Sequence, residues 1–83
     1  MCYYLYILLC ENDYLYVGIS EDVYKRFLVH KAGQGAELTK HNKPLTIVYT
    51  EQFDSLKEAR KREIQIKKWS RIKKEALIKG KLF

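Results

Sequence analysis

The sequence has little of several features that mark specialised classes of protein. Its 83 residues include one proline, four glycines and two cysteines, and they contain no repeat, linker or low-complexity tract. The longest apolar run, Tyr3 to Cys10, is too short to span a bilayer, and no basic segment precedes it as in a signal peptide. We therefore expect a cytoplasmic protein with no membrane partner, folded as a single domain over residues 1–83.

The two cysteines do not indicate a disulfide. Cys2 and Cys10 lie on one predicted strand, where about 3.3 Å per residue places them roughly 26 Å apart. That separation is beyond disulfide reach, so we expect two free thiols in a reducing compartment. No histidine stands at a spacing that would identify a partner for a cysteine nucleophile.

Positive charge is concentrated in the last third of the chain. Residues 55–83 hold eleven Lys or Arg against three Glu, a balance of +8, whereas residues 1–54 hold five against seven, a balance of −2. This asymmetry favours a polyanionic partner, either nucleic acid or an anionic membrane surface. The alternative interpretation is an ordinary lysine-rich helix face in water.

The first half of the chain predicts a β-hairpin. Two segments rich in Tyr, Leu, Ile and Val flank the polar turn 11–13. A three-residue connection would pair Tyr6 with Gly18 and bring Tyr6 and Tyr16 onto one face of the sheet, whereas a two-residue turn would send the tyrosines to opposite faces. In the first register Gly18, which has no side chain, leaves room beside Tyr6.

A helix is predicted to follow the hairpin, with Ser20 as its N-cap and its last turn near Ala32. Arg26 and His30 are four residues apart and are therefore neighbours on the helix surface. Packing of a buried helix face does not require an arginine and a histidine, so both residues are candidates for a functional site. The alternatives are an ion pair between Arg26 and Asp22 and a histidine packed at the edge of the core.

The remaining elements complete the predicted fold. A polar loop precedes Pro44, a β-branched strand covers residues 45–50, and Ser55-Leu56-Lys57-Glu58 is a capping box that opens a second helix. Ser70 starts a third helix that ends at Gly80, with Ile72, Ala76 and Leu77 predicted to face inward. The fold class is α/β of the α+β type: three antiparallel strands and about three helices in the order β-β-α-β-α-α.

Glu63 is the most informative residue of the second helix. On a helical wheel it falls within the apolar stripe of Ala59 and Ile66. An acid that faces the sheet costs several kcal/mol unless it is paired or bound to a metal. The candidate partners are Arg26, a tyrosine hydroxyl and a divalent cation, and the alternative is a structural ion pair at the edge of the core.

Two tripeptides of the hairpin, Tyr4-Leu5-Tyr6 and Tyr16-Val17-Gly18, resemble the name-giving motifs of the GIY-YIG nuclease family, which lie on adjacent strands. The resemblance covers nearly the whole chain and is closest to short stand-alone bacterial members. Arg26, His30 four positions later, and Glu63 match the family's active-site positions. The chain departs from excision-repair members at Ile19, where they have a lysine, and in having no asparagine after Asn42.

The resemblance implies a divalent-metal-dependent endonuclease that hydrolyses DNA, on branched or damaged substrates in repair or recombination. Its catalytic residues would be Tyr6, Tyr16, Arg26, His30 and Glu63, with Glu63 as ligand of one Mg²⁺ or Mn²⁺ ion. No small-molecule cofactor is expected, and the oligomeric state is left open, with a monomer compatible. The residues predicted to contact DNA are Gly18, Lys40, Arg60, Lys67, Lys68, Arg71 and Lys74.

Two other functions are compatible with the sequence. One is a non-catalytic nucleic-acid-binding module that keeps the same fold and its basic surface. The other is a small adaptor whose basic helices bind an acidic protein. An inward-facing acid favours the enzyme, because binding alone would not require Glu63 to face the sheet.

Overall fold

Two strands, a helix, a strand and two helices follow one another in the computed structural model, which describes residues 2–32 and 43–80. This order and the three-stranded antiparallel sheet confirm the predicted α+β fold. The strands are β1 (Tyr3–Cys10), β2 (Leu15–Ser20) and β3 (Pro44–Phe53). The helices are α1 (Val23–Lys31), α2 (Leu56–Lys67) and α3 (Arg71–Ile78).

The hairpin has the three-residue connection, so of the two alternative registers it adopts the one that brings the two tyrosines onto one face. Tyr6 pairs with Gly18, and the Cys10 N–H donates to the Tyr14 carbonyl at 2.9 Å. Asp13 closes the turn with a positive φ of 62°, a conformation that Asp adopts more readily than most residues. Because side chains alternate along a strand, this pairing places Tyr6, Tyr16 and Gly18 on one face.

The sheet has the order β2-β1-β3, with β1 in the centre, so each of its faces can be covered by helices. On one face Leu5, Ile7, Leu15 and Val17 pack against Ile66 of α2 and Leu77 of α3. On the other face Tyr6, Leu8 and Cys10 pack with Tyr16 and with Val23 and Phe27 of α1. The hydrophobic core therefore lies mainly beneath α2 and α3, while the tyrosine face lies beneath α1.

The N-cap of α1 is Asp22, and the prediction of Ser20 was wrong by two residues. The Asp22 carboxylate accepts a hydrogen bond from the Lys25 N–H at 3.1 Å, and the Ser20 hydroxyl instead accepts one from the Asp22 N–H. Both are cap-like contacts, but the second forms a turn that precedes the helix. Ser55 and Ser70 cap α2 and α3 as predicted.

The orientation of α3 differs from the prediction at one residue. Leu77 is buried as expected, but Ile72 is 82% exposed. Trp69 occupies the α2–α3 junction and packs against the core, with the Arg62 guanidinium 5.2 Å and the Lys73 ammonium 4.4 Å from its ring centroid. Because α3 is only eight residues long and contacts the core through its second half, its first turn points into solvent.

Two expectations about the whole chain can be compared with the structure. Cys2 and Cys10 are free thiols, as predicted. In residues 2–32 and 43–80, none of the helices has the length and apolar character needed to cross a bilayer.

Two isoleucines of α2 allow a matched test of this packing. Ile66 is fully buried, whereas Ile64, two residues away on the same helix, is 51% exposed. We expect Ile66→Ala to lower the free energy of unfolding by about 2–5 kcal/mol, because it leaves a cavity in the core. Ile64→Ala should change it by less than about 1 kcal/mol, and urea denaturation of both variants measures the difference. Equal losses would contradict the assignment of this face to the core.

Candidate active site

The site is built around the phenol of Tyr6, which lies over the position where Gly18 has no side chain. Tyr6 is 2% exposed, and a Cβ atom placed on Gly18 would be 2.5 Å from its hydroxyl oxygen and 2.7 Å from Cζ. The same Cβ atom would be 3.2 Å from a ring carbon of Tyr16. The two distances to Tyr6 are shorter than real Cβ contacts and the distance to Tyr16 is tighter than most, so a larger residue would have to displace the buried Tyr6 ring.

Three rings from β1, β2 and α1 meet beside this glycine. The Tyr6 hydroxyl is hydrogen-bonded to Nε2 of His30 at 3.2 Å. The ring centroids lie 6.4 Å apart for Tyr6 and Tyr16, 6.3 Å for Tyr6 and His30, and 4.9 Å for Tyr16 and His30. The hairpin places the two tyrosines, and the position of His30 in the last turn of α1 places the imidazole above them.

Burial keeps the two inner groups of this cluster neutral at pH 7. Desolvation, reinforced by the neighbouring Tyr16, raises the pKa of Tyr6 to about 12, although Arg26 opposes the rise as a hydrogen-bond donor and as a positive charge. Burial lowers the pKa of His30, which is fully buried, and the positive charge of Arg26 lowers it further. Tyr6 is therefore a protonated phenol and His30 an uncharged imidazole.

Arg26 lies at the outer edge of the same cluster. It stands one turn before His30 on α1, is exposed, and acts electrostatically on both Tyr6 and His30. The Asp22 carboxylate, which was the alternative partner, caps the helix instead and bonds the Lys25 N–H. Within the described ranges, Arg26 forms no ion pair with Asp22, and its guanidinium faces the tyrosine site.

Glu63 reaches the site from the other helix layer. Its side chain is 13% exposed, and its negative charge contributes to the raised pKa of Tyr6. The predicted inward placement is therefore correct. The carboxylate also forms an ion pair with Lys67 at 3.2 Å, one turn later on α2. That partner was missed, although the i,i+4 spacing of a Glu and a Lys indicates it.

The groups around Glu63 are better suited to a hard cation that keeps most of its water ligands than to a metal site in which the protein supplies every ligand. Among the described residues, no group of three or more His, Cys, Asp or Glu side chains could hold an ion. Mg²⁺ keeps most of its water ligands and is bound through one or two carboxylates together with substrate phosphates. A single largely buried carboxylate beside two phenols is compatible with that mode of binding.

The residues predicted to bind DNA fall into separate groups. Lys67 and Lys74 line a cavity at the edge of β2, together with residues Tyr14, Leu15, Tyr16 and Val17. Arg71 instead holds the hairpin turn, since its guanidinium bonds the carbonyl and the carboxylate of Asp13 and also pairs with Glu75. Arg60 is exposed on α2, and Lys68 is exposed at the C-cap of that helix. Lys40 lies outside the described residues.

Known proteins resemble this chain over nearly its full length. A sequence model of the GIY-YIG catalytic domain matches residues 2–76. A UPF0213 protein of Staphylococcus saprophyticus is 47% identical over 76 residues, which are 92% of this chain and 93% of that protein. A UPF0213 protein of Natronomonas pharaonis is 43% identical over 76 residues, 92% of this chain and 89% of its own.

A solved structure is also similar to this chain. The solution NMR structure of a UPF0213 protein from Bacillus halodurans superimposes with a TM-score of 0.63 at 40% sequence identity. The match covers 98% of this chain and 86% of the other.

Gly18→Ala tests the close approach at the centre of the site. The added methyl group must displace the buried Tyr6 ring, so we expect a loss of about 1–3 kcal/mol in the free energy of unfolding. In a double-mutant cycle, Tyr6→Phe should recover part of that loss, because it removes the hydroxyl that lies closest to the new atom. Urea denaturation of the four proteins measures the coupling, and strict additivity would contradict the contact.

The burial of His30 predicts a dependence of stability on pH. Its pKa is lowered in the folded protein, so its contribution is complete above the ordinary value of 6.5 and is lost as the pH falls through the lower folded value. The free energy of unfolding should therefore fall below about pH 6.5 more steeply in the wild type than in His30→Gln. His41 is present in both proteins and serves as an internal control. Parallel pH profiles would contradict a buried, neutral imidazole.

Proposed function

The chain belongs to the GIY-YIG nuclease family, and from that membership we propose that it is a divalent-metal-dependent endonuclease that hydrolyses phosphodiester bonds in DNA. One observation carries the proposal. The Tyr6 hydroxyl is hydrogen-bonded to His30, the Tyr6 and Tyr16 rings lie 6.4 Å apart, and Arg26 and Glu63 both influence the pKa of Tyr6, which supports a shared site built from four elements. Their chemistry matches the needs of phosphoryl transfer, namely a proton acceptor, a phosphate-binding cation and a carboxylate.

Arg26 is the group that binds the scissile phosphate in this proposal. Its guanidinium is planar, permanently charged and able to donate two parallel hydrogen bonds to phosphoryl oxygens. It lies at the exposed edge of the cluster, where a phosphate has access, and its charge is not compensated by Asp22. It would therefore stabilise the negative charge that develops on the phosphoryl oxygens in the transition state.

The two tyrosines take different roles. Tyr6, with a pKa of about 12, stays protonated and positions the water or the substrate by a hydrogen bond. Tyr16 is more exposed than Tyr6 and is the group that takes the proton from the attacking water. His30 is uncharged and orients the Tyr6 hydroxyl through their hydrogen bond.

Glu63 is the residue that would hold Mg²⁺ or Mn²⁺. When bound, such an ion would neutralise charge on the phosphate and assist departure of the leaving oxygen. The low exposure of the carboxylate and its closeness to Tyr6 support this assignment. Branched or damaged DNA, in repair or recombination, is the substrate class that we propose from the family resemblance.

A second function, a non-catalytic nucleic-acid-binding module, is favoured by one contact. The Lys67 ammonium satisfies the Glu63 carboxylate at 3.2 Å, so the acid has a partner without any metal ion. In such a protein the basic residues predicted to contact DNA, such as Arg60, Lys67 and Lys74, would bind the phosphate backbone, and the tyrosine cluster would be structural.

Glu63→Gln distinguishes the two functions, with Glu58→Gln as its matched control. Glu58 lies in the first turn of the same helix and is exposed, so the control removes one charge away from the site. With supercoiled and branched DNA in Mg²⁺, we expect Glu63→Gln to lower the cleavage rate by about 100-fold or more and Glu58→Gln to leave it nearly unchanged. EDTA should abolish cleavage by the wild type.

Binding of the same DNA at low salt provides the second measurement. If the protein is the proposed enzyme, Glu63→Gln still binds DNA while it no longer nicks it. Salt-sensitive binding by every variant with no cleavage by the wild type would replace the enzyme with the binding module. A wild type that neither cleaves nor binds DNA at low salt would exclude both functions.

A further inference from the structure

The cavity at the edge of β2 adjoins the candidate active site. It has a volume of about 330 Å³ and is lined by Tyr14, Leu15, Tyr16 and Val17 of the hairpin and by Lys67 and Lys74 of the helices. Tyr16 belongs both to this cavity and to the cluster around Tyr6. A group bound in the β2-edge cavity would therefore lie next to the reacting phosphate.

Lys74 is the unusual residue of the β2-edge cavity. It is half-buried, and within residues 2–32 and 43–80 its ammonium forms no ion pair. The other half-buried basic residue of the described ranges, Arg62, pairs with Glu51, and Lys67 and Arg71 near Lys74 also form ion pairs. A partly desolvated cation that faces a cavity without a counterion is suited to an anionic ligand.

Lys67 connects the β2-edge cavity with the carboxylate of the site. Its ammonium lies 3.2 Å from Glu63, and its side chain also lines the cavity beside Lys74. A phosphate in the cavity would thus meet two lysines on one side and the Tyr16 ring on another. Arg71 keeps the cavity walls in place, because it ties the hairpin turn to the first turn of α3.

The cavities beside the start of α1 have a less favourable charge for a nucleic-acid strand than the β2-edge cavity. Both are lined by Glu21 and Asp22, and one of them is also lined by Lys25 and Arg26. Their carboxylates offset or outnumber the basic side chains, whereas the β2-edge cavity is lined by Lys74 and by Lys67, which is paired with Glu63. The charge difference gives the bound strand a direction across the protein.

We propose that the β2-edge cavity is a second phosphate site, in which Lys74 binds the phosphate that neighbours the scissile one along the same DNA strand. The inference rests on the proposed interaction with DNA and adds the path of the strand, from Arg26 past Tyr16 to Lys67 and Lys74. It does not require catalysis, because a binding module would use the same path.

Lys74→Met tests the proposal, with Lys61→Met as a control that removes the same charge. Lys61 is exposed on α2 and lines a different cavity with Phe53 and Arg62. With a short fluorescein-labelled DNA duplex, anisotropy titrations over a range of salt concentrations should show about tenfold weaker binding for Lys74→Met at low salt. The slope of log K against log salt should also fall by about one. Lys61→Met should bind within about twofold of the wild type, and Lys74→Arg should restore binding.

NMR identifies independently which part of the protein contacts the duplex. Amide signals of residues 14–17 in ¹⁵N-labelled wild type should shift when the duplex is added, and these shifts should be lost in Lys74→Met. Thermal unfolding of each variant verifies that it is folded, and Lys74→Gln replaces Lys74→Met if the latter is not.

The possible failures are distinguishable. Equal effects of Lys74→Met and Lys61→Met, in a protein that binds and cleaves DNA, would overturn the second phosphate site and leave the proposed function intact. A selective loss in Lys74→Met without cleavage by the wild type would support the phosphate site on a binding module. No DNA binding by the wild type would remove both proposals.

Discussion

The pairing of Tyr6 with Gly18 across the β1–β2 hairpin is the constraint on which the site depends. The turn that closes at Asp13 sets this register, and a shift by one residue would turn Tyr16 to the opposite face of the sheet. Gly18 then leaves the space that the Tyr6 phenol fills, at a distance that no other residue type would permit. The register and the missing side chain act together, because either one alone would not bring the two phenols and His30 into contact.

Burial keeps two groups of the site neutral, whereas two other groups carry charge. Tyr6 lies under α1 and His30 lies on the buried side of that helix, where desolvation keeps the phenol protonated and the imidazole uncharged. Arg26 remains exposed at the edge, and Glu63 carries its charge with Lys67 as a partner. An anionic substrate would meet the guanidinium first, while the neutral groups beneath it hold the geometry without repelling a phosphate.

Helix α2 connects the core, the site and the basic surface. Ile66 anchors it in the core, and Arg62 ties it to Glu51 of β3 at 3.0 Å, so its rotation about its own axis is set on two sides. That rotation turns Glu63 toward Tyr6 and places Lys67 between the carboxylate and the β2-edge cavity. A few local contacts thus determine where charges from the last third of the chain meet the hairpin.

Much of the fold and of the site could be predicted because it follows from local patterns. The alternation of strand residues, the polar turn, the caps at Ser55 and Ser70 and the inward position of Glu63 all rest on backbone periodicity or short-range hydrogen bonding. Where two local signals compete, prediction is weaker: Ser20 and Asp22 are both good caps, and Asp22 is the one used. The orientation of Ile72 was wrong because the packing of Trp69 and Leu77, rather than helical periodicity, decides which turn of α3 meets the core.

The amino-acid sequence by itself determined the types and order of the elements and the candidate residues, because each of these depends on neighbours a few positions away, whereas it left the hairpin register open between two turns. Only the tertiary structure decided that the Tyr6 hydroxyl meets His30, that Arg71 is held by the hairpin turn, and that Lys74 faces a cavity beside Tyr16. These contacts join residues far apart in the chain. They depend on how helices and sheet pack against one another, which no local pattern specifies.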